Sequence, residues 1–266
     1  MQDVRLLAEE RQPATAQRRL SRMTALLATL IADALMKLGQ LRAACAWYAT
    51  ARSAADDCAE PEVRARVRVQ AAILPYYYGP LDSAIHLARD AQDLMDGLHA
   101  SDAASFAAIA HARALARRGD VRGAETALHT AHNLFAQINP TPMTDALAFP
   151  TRRMLLYTSG TFTSLGRTRQ ARQAQREALA FYLARGAGSD PALLHLEEAL
   201  CLIKEHALTD ACQLAGTTYL ALPPDQRTRI ITARVHHVVD ALPVRMRRCR
   251  AARELGEILA LPKPRT

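Results

Sequence analysis

The chain has 266 residues, half of them hydrophobic but only 5% aromatic. No run reaches the ~18 apolar residues of a membrane span, and Met1 is followed by charged residues instead of an apolar leader, so a soluble, cytoplasmic protein is expected. The net charge of +8 and pI of about 9.6 rest on arginine, since the lysines are Lys37, Lys204 and Lys263 alone; this permits anionic partners without naming one.

Residues 1–15 read as a polar lead-in. From 16 to 38 apolar residues recur at helical spacing (Leu20, Met23, Leu27, Leu30, Ile31, Leu35, Leu38), and Gly39 closes that helix. A second helix is expected from Leu41 to about Asp57. Glu60-Pro61 opens a third, proline being favoured in a first turn, and Pro75 should bend its end. Gly79 reads as a turn glycine before a fourth helix to about Met95. Ser101 or Asp102 caps a fifth that runs to Arg118, and Gly119 turns the chain into a sixth, to about Ile138. Prolines 140, 142 and 150 make 139–150 a surface loop or hinge. Two helices surround Gly166, Asp190-Pro191 starts the ninth, and His206 separates it from the tenth. A last pair is expected at 226–242 and 244–261, and 262–266 is a tail.

The turn positions 39, 79, 119, 166 and 206 are separated by 40, 40, 47 and 40 residues, and a fixed period of this size marks a solenoid. Each turn is followed by small residues on one helix face, as in Ala84, Ala88 and Ala91. Catalytic signals are sparse. No Gly-rich phosphate loop or nucleophile elbow occurs. His195 with Glu198, and His129 with His132, share helix faces but lack the companions a metal needs, so neither a metal nor a cofactor is expected. Cys45, Cys58, Cys201, Cys212 and Cys249 are scattered, without disulfide-framework spacing, and fit reduced cytoplasmic thiols.

Aligned on its copies, the chain resembles the tetratricopeptide repeat (TPR) family, in which small residues mark the close crossing of two helices. Those places hold Ala32, Ala44, Ala51; Ala72, Ala84, Ala91; Ala112, Ala124, Ala131; Ser159, Ala171, Ala178; and, less well, Ala199, Ala211, Thr218. The period exceeds the family's usual one, and the family's early aromatic and closing proline are mostly missing. Segments 38–52, 78–91, 112–120 and 253–259 resemble more narrowly the TPR-containing sensor region of bacterial helix-turn-helix regulators of the XRE type. Only some fifteen residues precede the first repeat helix, too few for the DNA-binding domain that such regulators carry, so the expectation is either a stand-alone relative or a region whose upstream domain lies outside this sequence.

The resemblance implies an all-α, right-handed TPR-like solenoid over 16–261, with about five helix hairpins and a C-terminal capping pair. It also implies a concave groove lined by the first helix of each hairpin. Carried over by register, the groove candidates are Arg66, Tyr76, Tyr77, Arg113, Arg117 and Arg153. Cations beside an apolar floor suit a peptide, protein segment or small molecule bearing a carboxylate. The expected role is a non-enzymatic, cytoplasmic regulator or adaptor linked to transcription, able to work with a helix-turn-helix protein in trans or as a homodimer. Direct DNA binding is not expected. Two alternatives stay open: a nucleic-acid-associated protein using its basic surface, and an enzyme on a helical-repeat scaffold.

Overall fold

The computed structural model describes residues 13–138, 148–182 and 188–260. Among them every regular element is helical and none is a strand. The lead-in up to residue 12, hinge residues 139–147 and the 262–266 tail lie outside the described residues. Contacts divide the chain into two compact units. The first holds Met1–Arg118 and Arg122–Phe149, the second Gly119–Val121 and Pro150–Thr266.

In the first unit α1 (Ala14–Lys37) and α2 (Leu41–Cys58) form a hairpin. They are followed by α3 (Pro61–Ala71), α4 (Ile73–Tyr78), α5 (Leu81–Asp93), α6 (Asp102–Arg118) and α7 (Val121–Ala136). α3 packs on α1, α2, α5 and α6. A three-helix polar tie joins its end, since Asp33 of α1 accepts hydrogen bonds from Tyr48 of α2 and, at 2.7 Å, from Gln70 of α3. The expected third helix is two helices that break at Ala72. Pro75 supplies the reason, because it has no amide to return to the carbonyl of Ala71. After α7, Phe149 stacks on Phe106 at 4.6 Å between ring centroids and meets Phe135 edge-on at 6.2 Å.

In the second unit α8 (Thr151–Ser164) pairs with α9 (Thr168–Ala180), and α10 (Ser189–Lys204) with α11 (Leu208–Ala221). α10 also packs on α8, α9 and α12 (Arg229–Ala241), while α13 (Arg250–Ala260) covers α11. Leu194, Leu196, Ile231, Val235, Leu242 and Leu255 are the apolar centre. At its edge the Glu197 and Arg234 side chains, 0% and 1% exposed, form an ion pair between α10 and α12.

All the small residues singled out by the repeat register are buried, from Ala32 to Thr218. Gly39, Gly119 and Gly166 take φ of 81°, 91° and 74°, and His206 takes 63° in the same role. Gly79 does not: its φ of −138° is extended backbone. Glycine here eases a close approach, since a Cβ would stand 3.2 Å from the Pro75 Cα. A second difference lies at 244–261, expected as one helix. Val244–Arg248 is a 3₁₀ turn, Cys249 is extended, and α13 begins only at Arg250.

The cause of that difference is a local device present twice. At Ala221-Leu222-Pro223 the chain leaves α11 in extended backbone and makes a 3₁₀ turn at Pro224–Gln226. Arg227 then folds back, its Nε donating to the Leu222 carbonyl at 3.0 Å and its Nη2 to Leu220 at 3.1 Å. Twenty residues on, Ala241-Leu242-Pro243 leads into the second 3₁₀ turn, and Arg247 donates to Leu242 at 3.1 Å and to Asp240 at 2.6 Å. Each guanidinium satisfies carbonyls that a helix end leaves without amides.

Candidate functional site

Four of the six groove candidates meet at one place in the first unit. Arg113 and Arg117 leave α6 one turn apart, and α4 brings Tyr76 and Tyr77 against them. The Arg113 guanidinium lies 4.6 Å from the Tyr76 ring centroid and 5.7 Å from that of Tyr77, and its Nη2 donates to the Tyr77 oxygen at 3.3 Å. Arg117 stands 4.9 Å from the Tyr76 centroid and donates through Nη1 to the Tyr76 carbonyl. That carbonyl is open to it because the helical donor four residues on would be Pro80, which has no N–H. The two rings meet edge to face at 5.1 Å.

Arg113 is 2% exposed and Tyr76 6%, whereas Arg117 and Tyr77 are half-buried. The site is thus layered, with Arg117 and Tyr77 toward solvent and Arg113 and Tyr76 beneath. Aromatic faces carry negative quadrupole charge, and each stacked guanidinium gains ~0.5–2 kcal/mol, more as water is excluded. Both cations sit within 5 Å of one ring centroid, so they are at most about 10 Å apart. The phenol oxygen of Tyr76 is buried and has no hydrogen-bond partner among the described residues.

Arg66 is held elsewhere. Its guanidinium pairs with Asp102 at 4.0 Å, at the start of α6, and Asp102 also accepts the Phe149 amide at 3.3 Å. Asp102 precedes Arg113 by eleven positions on one helix, about 16 Å at 1.5 Å per residue. Arg153 belongs to the second unit, where it is half-buried in the first turn of α8.

The second unit has a cleft of about 250 Å³ between α9 and α10, lined by Arg172, Gln175, Arg176, Leu179 and His195 among others. Its central cation is saturated. The Nε of Arg172 donates to Glu198 at 2.9 Å, and its two Nη atoms donate to Glu205 at 2.6 and 2.7 Å. Those bonds hold the Glu205 carboxyl below its ordinary range. Burial pushes the Cys201 thiol up, against hydrogen bonds from Thr163 and Gln175, which disfavours a nucleophilic thiolate. No group of three or more metal-ligating side chains occurs among the described residues.

Sequence reasoning placed the Arg113–Arg117–Tyr76–Tyr77 cluster but missed the partners that fix it. The absence of an amide at Pro80 was a readable signal for the Arg117 contact. Asp102, read only as a helix cap, is also the partner of Arg66. No protein-family model matches the chain, and no curated protein matches its sequence.

Proposed function

We propose that the chain is a non-enzymatic regulatory or adaptor module whose Arg117–Tyr77 mouth takes an anionic group, a carboxylate of a peptide, protein segment or small molecule. The observation that carries this reading is the half-buried Arg117, its guanidinium 4.9 Å from the Tyr76 ring centroid and beside the half-buried Tyr77 at the outer layer of the cluster. Charge-assisted bonds to a guanidinium are stronger than neutral ones, and a shielded pair contributes ~1.5–3 kcal/mol. Ligand binding would favour one packing of α4 on α6 over others, and a partner would read that population shift.

The same reading extends to architecture. Within each unit, first helices of successive hairpins are neighbours, α1 with α3, α3 with α6, and α8 with α10. The crossings carry buried small residues at the register of the tetratricopeptide pattern. Both features support a right-handed TPR-like solenoid related to the sensor regions of XRE-type regulators. A transcription-linked role, with a helix-turn-helix protein in trans, follows from that resemblance. No helix among the described residues is long and apolar enough to cross a membrane.

Isothermal titration against a set of acidic peptides, each with a free and an amidated C-terminus, tests the reading. Free-carboxyl members should bind preferentially, and Arg117→Gln should weaken them at least about tenfold, equivalent to ~1.4 kcal/mol. Tyr77→Phe should weaken them less. Equal binding of amidated peptides, or full affinity in Arg117→Gln, would overturn it.

A further inference from the structure

The two helix-end devices of the second unit are an internal comparison. Both have a buried leucine (Leu222, Leu242), a proline, a 3₁₀ turn and an arginine folded back on two carbonyls. The residues at equivalent places around that device differ completely, only Asp225 of the first set being exposed. The first copy has Asp225, Thr228, Ile230 and Ala233, and twenty residues later the second has Arg245, Arg248, Arg250 and Arg253. The fold device therefore works without cations at these places, and the four arginines of the second copy need another reason.

All four are exposed. Arg245 and Arg248 are three apart on a 3₁₀ turn, where such residues eclipse and share a face. Arg250 and Arg253 are three apart in the first turn of α13, whose leading amides have no helical acceptors. Among the described residues only Arg250 has a carboxylate partner, Glu254 at 2.7 Å, and that pair is exposed and readily exchanged. Arg247 takes no part in this face, being tied to the end of α12, and so fixes the turn from which the others project.

We infer that this turn and the start of α13 form a docking surface for the phosphate backbone of a nucleic-acid duplex. Guanidinium is the group best suited to phosphate oxygens, and four in nine residues match a densely charged polyanion. A lipid surface fits less well, because the apolar face of α13, with Leu255 and Ile258, is already packed into the core. An acidic protein would call for apolar or aromatic anchors, and Val244 is the one exposed large apolar side chain there. With no aromatic side chain from 244 to 253, bases cannot stack on the surface, so duplex is favoured over single strand. The contact reads charge and not sequence. It differs from recognition by a DNA-binding domain, which the sequence does not lead one to expect.

Fluorescence anisotropy of a labelled 20-base-pair duplex, titrated with the full chain from 25 to 200 mM NaCl, tests this surface. Neutralising up to four phosphates contributes about −3.6 to the slope of log K against log salt. Replacing the four by Arg245→Gln, Arg248→Thr, Arg250→Gln and Arg253→Gln should remove most of that contribution, while circular dichroism stays that of the wild type. The paired variants Arg245→Gln/Arg248→Thr and Arg250→Gln/Arg253→Gln should each remove about half, and they serve if the fourfold variant misfolds. Arg18→Gln/Arg19→Gln, on exposed α1 positions, should change little. An unchanged slope in folded variants would overturn the inference, as would an equal loss in the α1 variant. Tighter binding to poly-glutamate, to anionic vesicles or to the single strand than to the duplex would assign the surface to that partner instead.

Discussion

Arg234→Met isolates the buried ion pair of the second unit and carries a pH signature of its own. In the wild type Arg234 meets the Glu197 carboxylate and also donates through Nη1 to Nδ1 of His237 at 2.7 Å, which requires a neutral imidazole. With the guanidinium gone, a carboxylate at 0% exposure either stays charged in the core or takes up a proton. Breaking a buried pair typically costs ~3–5 kcal/mol. Protonation sets a ceiling on the charge part of that cost. For a carboxyl of ordinary pKa about 4.3 it is ~3.7 kcal/mol at pH 7 and ~1 kcal/mol at pH 5, at 1.36 kcal/mol per unit.

The sign follows from linkage. In the variant the folded state holds a proton that the unfolded state lacks, so stability rises as pH falls. Urea denaturation followed by circular dichroism should show Arg234→Met regaining about 2–3 kcal/mol relative to wild type between pH 7 and pH 5. The double variant Glu197→Gln/Arg234→Met should recover much of the loss and show no such gain. A parallel series in a His237→Gln background removes that imidazole from the comparison. A cost below about 1 kcal/mol at pH 7, or a variant whose deficit is flat in pH, would refute the claim that Glu197 is sealed from water.

Ala84→Leu and Ala124→Leu should each destabilise the first unit by ~1–3 kcal/mol through overpacking at a helix crossing, and melting temperatures like the wild type would contradict that packing. Arg227→Ala and Arg247→Ala each strip two carbonyls of their donor, and since water can replace part of each bond the cost should be ~0.5–1.5 kcal/mol in urea denaturation. Arg227→Lys should recover less than half, having no fork to span both carbonyls. Glu205 is bound by Arg172 and its carboxyl lies below the ordinary 4.5, so its contribution is present above that pH and is lost as pH falls through the lower folded value. The melting temperatures of wild type and Glu205→Gln should therefore differ at pH 6 and converge toward pH 3; a constant gap would contradict the pairing.

The helices were legible because their signals are local. Gly39, Gly119 and Gly166 closed helices in left-handed backbone as their position demanded, and His206 took the glycine place in the fifth copy. Gly79 looked the same in sequence but is extended, because what it answers is the closeness of Pro75, a contact that a turn pattern does not encode. The 244–261 stretch misled in the opposite way. Its apolar residues keep helical spacing, yet Pro243 and the capping Arg247 hold the first part as a 3₁₀ turn.

The candidate site divides along the same line. Arg113 and Arg117 share a face by helical period alone, and the repeat register put Tyr76 and Tyr77 near them. What register could not give was depth or pairing. Arg113 lies beneath its neighbours, and Arg66 is turned to Asp102, because both outcomes depend on how α3, α4 and α6 pack. Glu197 and Arg234 were unremarked for the same reason: 37 positions separate them, and only the packing of α10 on α12 joins them.

The central claim, that the α4–α6 cluster receives an anion, is tested most directly by side-chain NMR of arginine. In ¹⁵N-labelled protein the Nε–Hε resonances of Arg113 and Arg117, assigned through Arg113→Lys and Arg117→Lys, would be followed during titration with free-carboxyl and amidated peptide pools. The account predicts that Arg117 shifts most, with Arg113 following, for the free-carboxyl pool only. Shifts confined to arginines outside the cluster, or identical shifts with the amidated pool, would contradict it.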